Sequence, residues 1–194
     1  MGKITVLIST TPDGFVDAKN VIIDPEFYEF IHSLMADDDT IAFGRNTFEL
    51  FQDRWPARLK DEQSPEWVKK MAQSLHDMKK VVFSSTLKTT TWNNSQIIDK
   101  LDIDYVNSFK TNNTGGLLTF GSLSIIESLI ELNAVDDYYF NILPLIPGKG
   151  EDRFFKKLNL NRPQPLKYVE YKQLISGAHV IHYENETSIF KQGK

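Results

Sequence analysis

The chain has 194 residues, with 22 basic and 26 acidic side chains for a formal net charge of −4, and 41% of its residues are hydrophobic. That balance suits a single globular domain over residues 1–194 with a full core, and it contains no Lys/Arg-rich run that would make a nucleic-acid surface. The chain has no cysteine, which excludes disulfides and thiolate metal sites; no apolar run reaches the length of a membrane span or matches a signal peptide, so a cytoplasmic protein is expected.

Ile4–Ser9 is short, apolar and β-branched, as a buried strand is, and Pro12-Asp13-Gly14 ends it with turn chemistry. Asp24-Pro25 reads as a helix start, an N-cap acid before a proline at the first helical position, with Phe27, Phe30, Ile31 and Leu34 at helical spacing behind it. Thr40–Phe43 is a second buried strand stopped by Gly44, and a helix begins near Asn46–Thr47. From Gln52 onward Trp55-Pro56 and Ser64-Pro65 act as breakers, which predicts a loop and then a short helix from Pro65.

Val81–Phe83 is a third strand. A short strand is expected at Gln96–Ile98, and Leu101–Phe109 fits either a helix or a strand. Leu117–Phe120 is a strand, after which Gly121-Ser122 opens an amphipathic helix carrying Ile125, Ile126, Leu129 and Ile130 on one face, with Asn133 near its end. Asp137–Leu143 is a strand, and Tyr168–Leu174 with Ala178–Tyr183 forms a hairpin around Ser176-Gly177. Strands alternating with helices, followed by a late hairpin, predict an α/β fold with a mostly parallel sheet and an antiparallel edge.

Two strand-to-helix turns carry candidate chemistry. At Gly44-Arg45-Asn46-Thr47 the first helical turn offers backbone N–H groups and partial positive charge, glycine lets a phosphate approach, and arginine and threonine add donors. An ordinary strand–helix junction with a surface arginine has the same sequence. Phe120-Gly121-Ser122 repeats the arrangement, and a helix simply capped by Ser122 is its plain alternative. In α/β sheets ligands gather at the carboxyl ends of the strands, where both turns fall, so together they point to an anion with two phosphates. Ser84-Ser85-Thr86, just past the third strand, offers three successive hydroxyls for a further phosphate or for capping a turn. Asp13–Asp17 is either a loop over the pocket or a surface turn.

At these segments the sequence resembles the dihydrofolate reductase-like family, in particular the branch related to the C-terminal reductase domain of the bifunctional riboflavin biosynthesis deaminase-reductase. The resemblance spans nearly the whole chain. Its motifs run in order through Asp13-Gly14-Phe15-Val16, Phe43–Glu49, Trp55-Pro56, Lys80–Leu87, Phe120–Ser122, Val135-Asp136-Asp137, Leu143–Gly150 and Arg153-Phe154. It implies a three-layer fold with a mostly parallel central sheet and an antiparallel C-terminal hairpin, NADPH as cofactor, and assembly as a homodimer. Gly44, Arg45 and Thr47 match the family's first phosphate-binding turn, and Gly121 and Ser122 its second. Ser84, Ser85 and Thr86 lie where the family holds the adenosine 2′-phosphate, and Thr10 and Val16 fall near the nicotinamide face.

The implied activity is NADPH-dependent reduction of a small pyrimidine- or pterin-like heterocycle, such as a 5-amino-6-(5-phosphoribosylamino)uracil reductase performs; the alternative is a catalytically silent dinucleotide-binding protein. Many relatives carry arginine where this chain has Ser85, so 2′-phosphate binding would lean on Arg45. Loss of one charge-assisted hydrogen bond weakens binding roughly ten- to a hundredfold. The Met-Pro-Trp segment of true dihydrofolate reductases is missing, which argues against folate reduction. A hydride reductase also needs a proton source; Asp24 is the candidate, with Glu26 beside it and helix capping as Asp24's plain role. His179 and His182 fall on opposite faces of one strand and cannot share a metal, so no metal site is expected.

Overall fold

The structure, a computed structural model, describes residues 2–187. The chain forms two compact units, Met1–Gly2 with Pro25–Leu118, and Lys3–Asp24 with Thr119–Lys194. The eight strands among the described residues pair mostly in parallel, the two C-terminal pairings being antiparallel. The expected α/β class is what the chain adopts. No helix among the described residues is long and apolar enough to cross a membrane.

In the first unit β2 (Asp38–Gly44), β3 (Lys79–Phe83), β4 (Ser95–Ile98) and, as far as Leu118, β5 (Gly116–Phe120) lie in the order β4-β3-β2-β5, and the three pairings are parallel. Parallel neighbours need long crossovers. Between β2 and β3 these are α2 (Arg45–Lys60) and α3 (Glu66–Asp77), while α1 (Pro25–Asp37) precedes β2 and α4 (Ile103–Asn112) precedes β5. α1 starts at Pro25 as read and buries Phe27, Tyr28, Ile31, Leu34 and Met35. The open choice at residues 101–109 resolves as a helix, α4, whose N-cap Asp102 accepts the Tyr105 N–H at 3.0 Å.

The loop expected from Gln52 does not form: α2 runs on through Trp55-Pro56 to Lys60. A mid-helix proline costs about 3 kcal/mol, and aromatic packing offsets it here. Phe48, Phe51 and Trp55 share one face, where Phe48 and Phe51 meet Phe43 of β2 at ring distances of 6.0 and 5.2 Å, and Trp55 meets Tyr28 of α1 at 6.0 Å.

Beneath this cluster lies a buried cation. Lys80 is fully buried, and its Nζ donates to the Leu75, His76 and Met78 carbonyls at 2.6, 3.0 and 2.8 Å, closing the C-terminal end of α3. The ammonium sits 4.8 Å from the ring centre of Trp92, itself packed on Phe43 and Phe48. Burial pulls the Lys80 pKa down to about 8, while the three carbonyl acceptors favour the charged form.

In the second unit β1 (Ile4–Thr10), β6 (Asp137–Ile142), β8 (His179–Asn185) and β7 (Leu166–Gln173) lie in the order β1-β6-β8-β7. β1 and β6 are parallel, and β8 pairs antiparallel with both β6 and β7. The β1–β6 pair is locked at its start: Ile4 N–H donates to the Asp136 carboxylate at 2.9 Å, and Asp136 N–H donates to the Ile4 carbonyl at 2.9 Å. α5 (Leu123–Glu131) buries the predicted stripe of Ile125, Ile126, Leu129 and Ile130. Asn133 follows it in the left-handed region, φ 50°, and Ala134 N–H returns to the Leu129 carbonyl at 2.9 Å, a left-handed helix stop.

Replacing Lys80 by methionine keeps the length of the stem but leaves three buried carbonyls without their donor. Lys80→Met is expected to lower unfolding free energy by about 3 kcal/mol, read as a lower urea midpoint with unchanged slope.

Candidate functional site

Two sets of residues carry candidate chemistry, one in each unit. In the first unit β2 and β3 run side by side with Gly44 opposite Phe83. Both strands therefore end together, and the chain leaves that edge once as Arg45-Asn46-Thr47 and once as Ser84-Ser85-Thr86. Gly44 is the N-cap of α2 in extended conformation (φ −84°, ψ 162°), with no side-chain cap bond and no acidic residue in the first turn. Arg45 and Asn46 are exposed, and Thr47 is half-buried. A helix start with a cation and no carboxylate is suited to an anion.

The Ser84–Thr86 turn is organised by its own first hydroxyl. Ser84 Oγ accepts the Thr86 and Leu87 N–H groups at 3.2 and 2.9 Å, so the capping role is real for Ser84. Ser85 and Thr86 stay exposed. Lys88, also exposed, donates from Nζ to the Ser85 carbonyl at 2.7 Å and so brings a cation onto the same turn. Sequence reading passed over Lys88 because only the folded turn brings its ammonium back to Ser85.

In the second unit Gly121 has φ 73°, a left-handed conformation that favours glycine. Ser122 is the N-cap of α5, but its hydroxyl makes no capping bond; the Ser122 carbonyl instead accepts the Ile125 and Ile126 N–H groups, both at 3.0 Å. Thr10 is buried at the end of β1 and donates to the Thr11 carbonyl at 3.2 Å. Val16 is half-buried, with its N–H on the Asp152 carbonyl at 3.1 Å. Asp24 is half-buried immediately ahead of α1.

Asn141 is a polar residue that the sequence reading missed. It is fully buried and is the register partner of Ser9 near the carboxyl ends of β1 and β6. Its Nδ2 donates to Ser9 Oγ at 3.0 Å, and its Oδ1 has no hydrogen-bond partner. The signal was an asparagine inside the otherwise apolar and aromatic run Tyr138–Leu143.

The Asp13–Asp17 segment and the Gly148-Lys149-Gly150 turn, read as separate features, form one network. Thr11 Oγ1 donates to Asp13 Oδ1 at 2.6 Å, and Asp13 Oδ2 accepts the Gly148 N–H at 3.0 Å. Arg153 Nη1 donates to the Asp13 carbonyl at 3.1 Å, with its guanidinium 4.4 Å from the Phe15 ring centre. Asp17 accepts the Glu151 N–H at 2.9 Å. A Cβ on Gly150 would run into the Asp17 carboxylate and the Phe15 ring, which is why this turn carries glycine there. His182, for its part, contacts Asp137 at 2.8 Å and stacks on Tyr139, away from His179. No cluster of metal-ligating side chains occurs among the described residues.

The family model of the RibD C-terminal domain matches residues 2–180. The chain belongs to that family. "Uncharacterized protein YyaP" of Bacillus subtilis (strain 168) is 29% identical to this RibD C-terminal domain protein over 188 residues, covering 93% of this chain and 94% of the relative. Among solved structures, a protein assigned to riboflavin biosynthesis from Shewanella sp. PV-4 superposes with a TM-score of 0.69 at 15% identity, over 95% of this chain and 99% of that one. A pyrimidine reductase-like protein from Corynebacterium diphtheriae gives 0.64 at 14% identity, over 95% and 92%. Dihydrofolate reductase from Enterococcus faecalis, complexed with NADP(H) and RAB-propyl, gives 0.63 at 14% identity, over 95% and 97%. At these identities the structural likeness establishes the dihydrofolate reductase-like fold, and family membership supports an oxidoreductase.

The Asp13 carboxyl is held below its ordinary 3.8, chiefly by the Thr11 hydroxyl, with the Gly148 N–H adding to the effect and desolvation opposing it. A depressed carboxyl pKa gives stability that is present above 3.8 and lost as pH falls through the lower folded value. Tm of the wild type is therefore expected to drop more steeply than that of Asp13→Asn as pH falls below about 4; parallel curves from pH 5 downward would contradict this.

Proposed function

We propose that this protein reduces a small pyrimidine- or pterin-like heterocycle with NADPH. The observation that carries the reading is the pairing of Gly44 with Phe83, which starts the Arg45–Thr47 and Ser84–Thr86 turns from one edge of the first unit. A helix start without acids, an exposed arginine and a turn carrying two exposed hydroxyls and a lysine fit the phosphates of a dinucleotide. Gly44, Arg45 and Thr47 are assigned to the pyrophosphate, and Ser84, Ser85 and Thr86 to the 2′-phosphate. Ser84 keeps its turn in shape, so Ser85 and Thr86 need no rearrangement to offer their hydroxyls. Lys88, held on the Ser85 carbonyl, supplies the charge that Ser85 lacks.

Within the second unit, the family resemblance assigns Gly121 and Ser122 to phosphate and Thr10 and Val16 to the nicotinamide. NADPH, when bound, supplies a hydride. The chain's part is to orient the substrate's C=N or C=O bond and to provide the proton that balances the addition, a role given to Asp24.

Steady NADPH oxidation is expected with a member of a pyrimidine and pterin panel. Lys88→Ala should weaken NADPH binding roughly tenfold, about 1.4 kcal/mol, and leave NADH binding nearly unchanged, whereas Arg45→Ala, at the pyrophosphate that both cofactors carry, should weaken both. Asp24→Asn should remove turnover while NADPH still binds. Binding without turnover on every substrate would instead favour the silent dinucleotide-binding protein, and absence of nicotinamide binding at millimolar concentration would defeat both readings.

A further inference from the structure

α4 does not close evenly on the strands of the first unit. The register sets Thr40 of β2 beside Lys79 of β3, and Val81 of β3 beside Gln96 of β4. Side chains alternate along a strand, so Thr40, Lys79, Val81 and Gln96 share one face, with Phe83 farther along it. α4 rests on that face through Tyr105, whose ring meets the Phe83 ring edge-on at 5.0 Å. Toward the amino ends of the strands the face carries Thr40, Lys79 and Gln96 in place of aromatic residues. There a cavity of about 460 Å³ remains, bounded on the helix side by Tyr105, Ser108 and Phe109. Those positions are three and four apart on α4 and share one helix face.

The cavity is separate from the turns assigned to phosphate. Those turns leave β2 and β3 at Gly44 and Phe83, whereas Thr40 and Lys79 lie roughly 13 Å back along the same strands.

The lining selects the ligand. Asn94 and Asn113 donate from Nδ2 to the Asp77 and Phe109 carbonyls, both at 2.9 Å, which fixes their Oδ1 atoms as acceptors at the cavity. Gln96 and Ser108, both exposed, add an amide and a hydroxyl. Trp92 completes the wall, and its indole N–H has no hydrogen-bond partner among the described residues. Amides match the lactam and amino edges of a base, and hydroxyls match those of a sugar. Charge is excluded by the same lining. Lys79 is matched by Asp39 at 3.0 Å, Lys80 is occupied by three carbonyls, and no arginine lines the cavity among the described residues. A phosphate would meet no unpaired cation there. The volume lies in the range of small-molecule sites, and a base or a sugar ring alone would leave part of it empty.

We propose that this cavity binds a neutral nucleoside through the Asn94, Gln96 and Asn113 amides and the Ser108 hydroxyl. The site depends on the first unit alone and stands whether or not the protein is a reductase.

Titration of isotope-labelled protein with adenosine and with uridine, followed by NMR, tests it. At least one of them should shift the signals of residues 79–81, 94–96 and 105–113, with a Kd of about 1 mM or below. The matching monophosphates should shift the same signals less at equal concentration. Gln96→Leu, which removes the amide, and Ser108→Trp, which fills the cavity, should each weaken binding roughly tenfold. Circular dichroism checks that each variant keeps its fold, as expected for exposed positions. Absence of shifts with both nucleosides would overturn the proposal. So would shifts confined to the Arg45–Thr47 and Ser84–Lys88 turns or to the second unit, tighter binding of the monophosphates at the cavity signals, or variants that bind like the wild type.

Discussion

Parallel pairing of β2 with β3 is the constraint on which the first unit depends. Two parallel strands cannot be joined by a tight turn, so the chain must leave one end of the sheet and return to the other. The β2–β3 return is made by α2 and α3. The β3–β4 return is made by residues 84–94 with no helix at all. That second return has to turn sharply as it leaves Phe83, and the Ser84 hydroxyl provides the turn by accepting two successive N–H groups. The other departure is made at Gly44, in extended conformation directly ahead of α2. The turns at which phosphates are proposed to bind thus follow from topology before any ligand is considered, which is the general reason ligands gather at carboxyl ends of α/β strands.

The return from β3 to β4 also needs an anchor, and Trp92 supplies it. Its ring is buried against Phe43 and Phe48 and covers the Lys80 ammonium. Lys80 in turn holds the last carbonyls of α3. One aromatic ring therefore ties a helix-free crossover to the end of the helical one. A hydrophobic residue at position 80 would fill the space but could not close the helix, and a buried lysine without carbonyl acceptors would be costly. The site combines burial with three hydrogen bonds, and each feature makes the other tolerable.

Much of this was legible from residue patterns. The strands, α1 and α5 follow from apolar runs, from the Asp24-Pro25 start and from the Ile125–Ile130 stripe, all local signals. Three features were not legible, each for a physical reason. α2 passes through Pro56 because Phe51 and Trp55 pack on Phe43 and Tyr28, and partners distant in sequence leave no trace in a local breaker signal. Residues 101–109 carry apolar residues at spacings that fit both periods, and the deciding Asp102 cap is a single hydrogen bond. Lys79 and Lys80 are adjacent lysines with nothing local to separate them; Lys79 is exposed and reaches Asp39 at 3.0 Å, while Lys80 is buried.

The candidate site divides along the same line. That Gly44, Arg45, Gly121 and the serine turn fall at strand ends was legible, because strand ends and glycines are written locally. The network joining Asp13, Phe15 and Asp17 to Gly148, Glu151 and Arg153 was not, since it rests on pairing across more than a hundred residues, down to a single antiparallel bridge between Phe15 and Arg153. That network alters how Asp13–Asp17 is understood. A free loop over a pocket would cost entropy to close on each binding event. Here the loop is already fixed by the Asp13 carboxylate, the Asp17 carboxylate and the Arg153 guanidinium, and Gly150 leaves them the room they need. Val16, within it, is held in place as well, with its N–H on the Asp152 carbonyl.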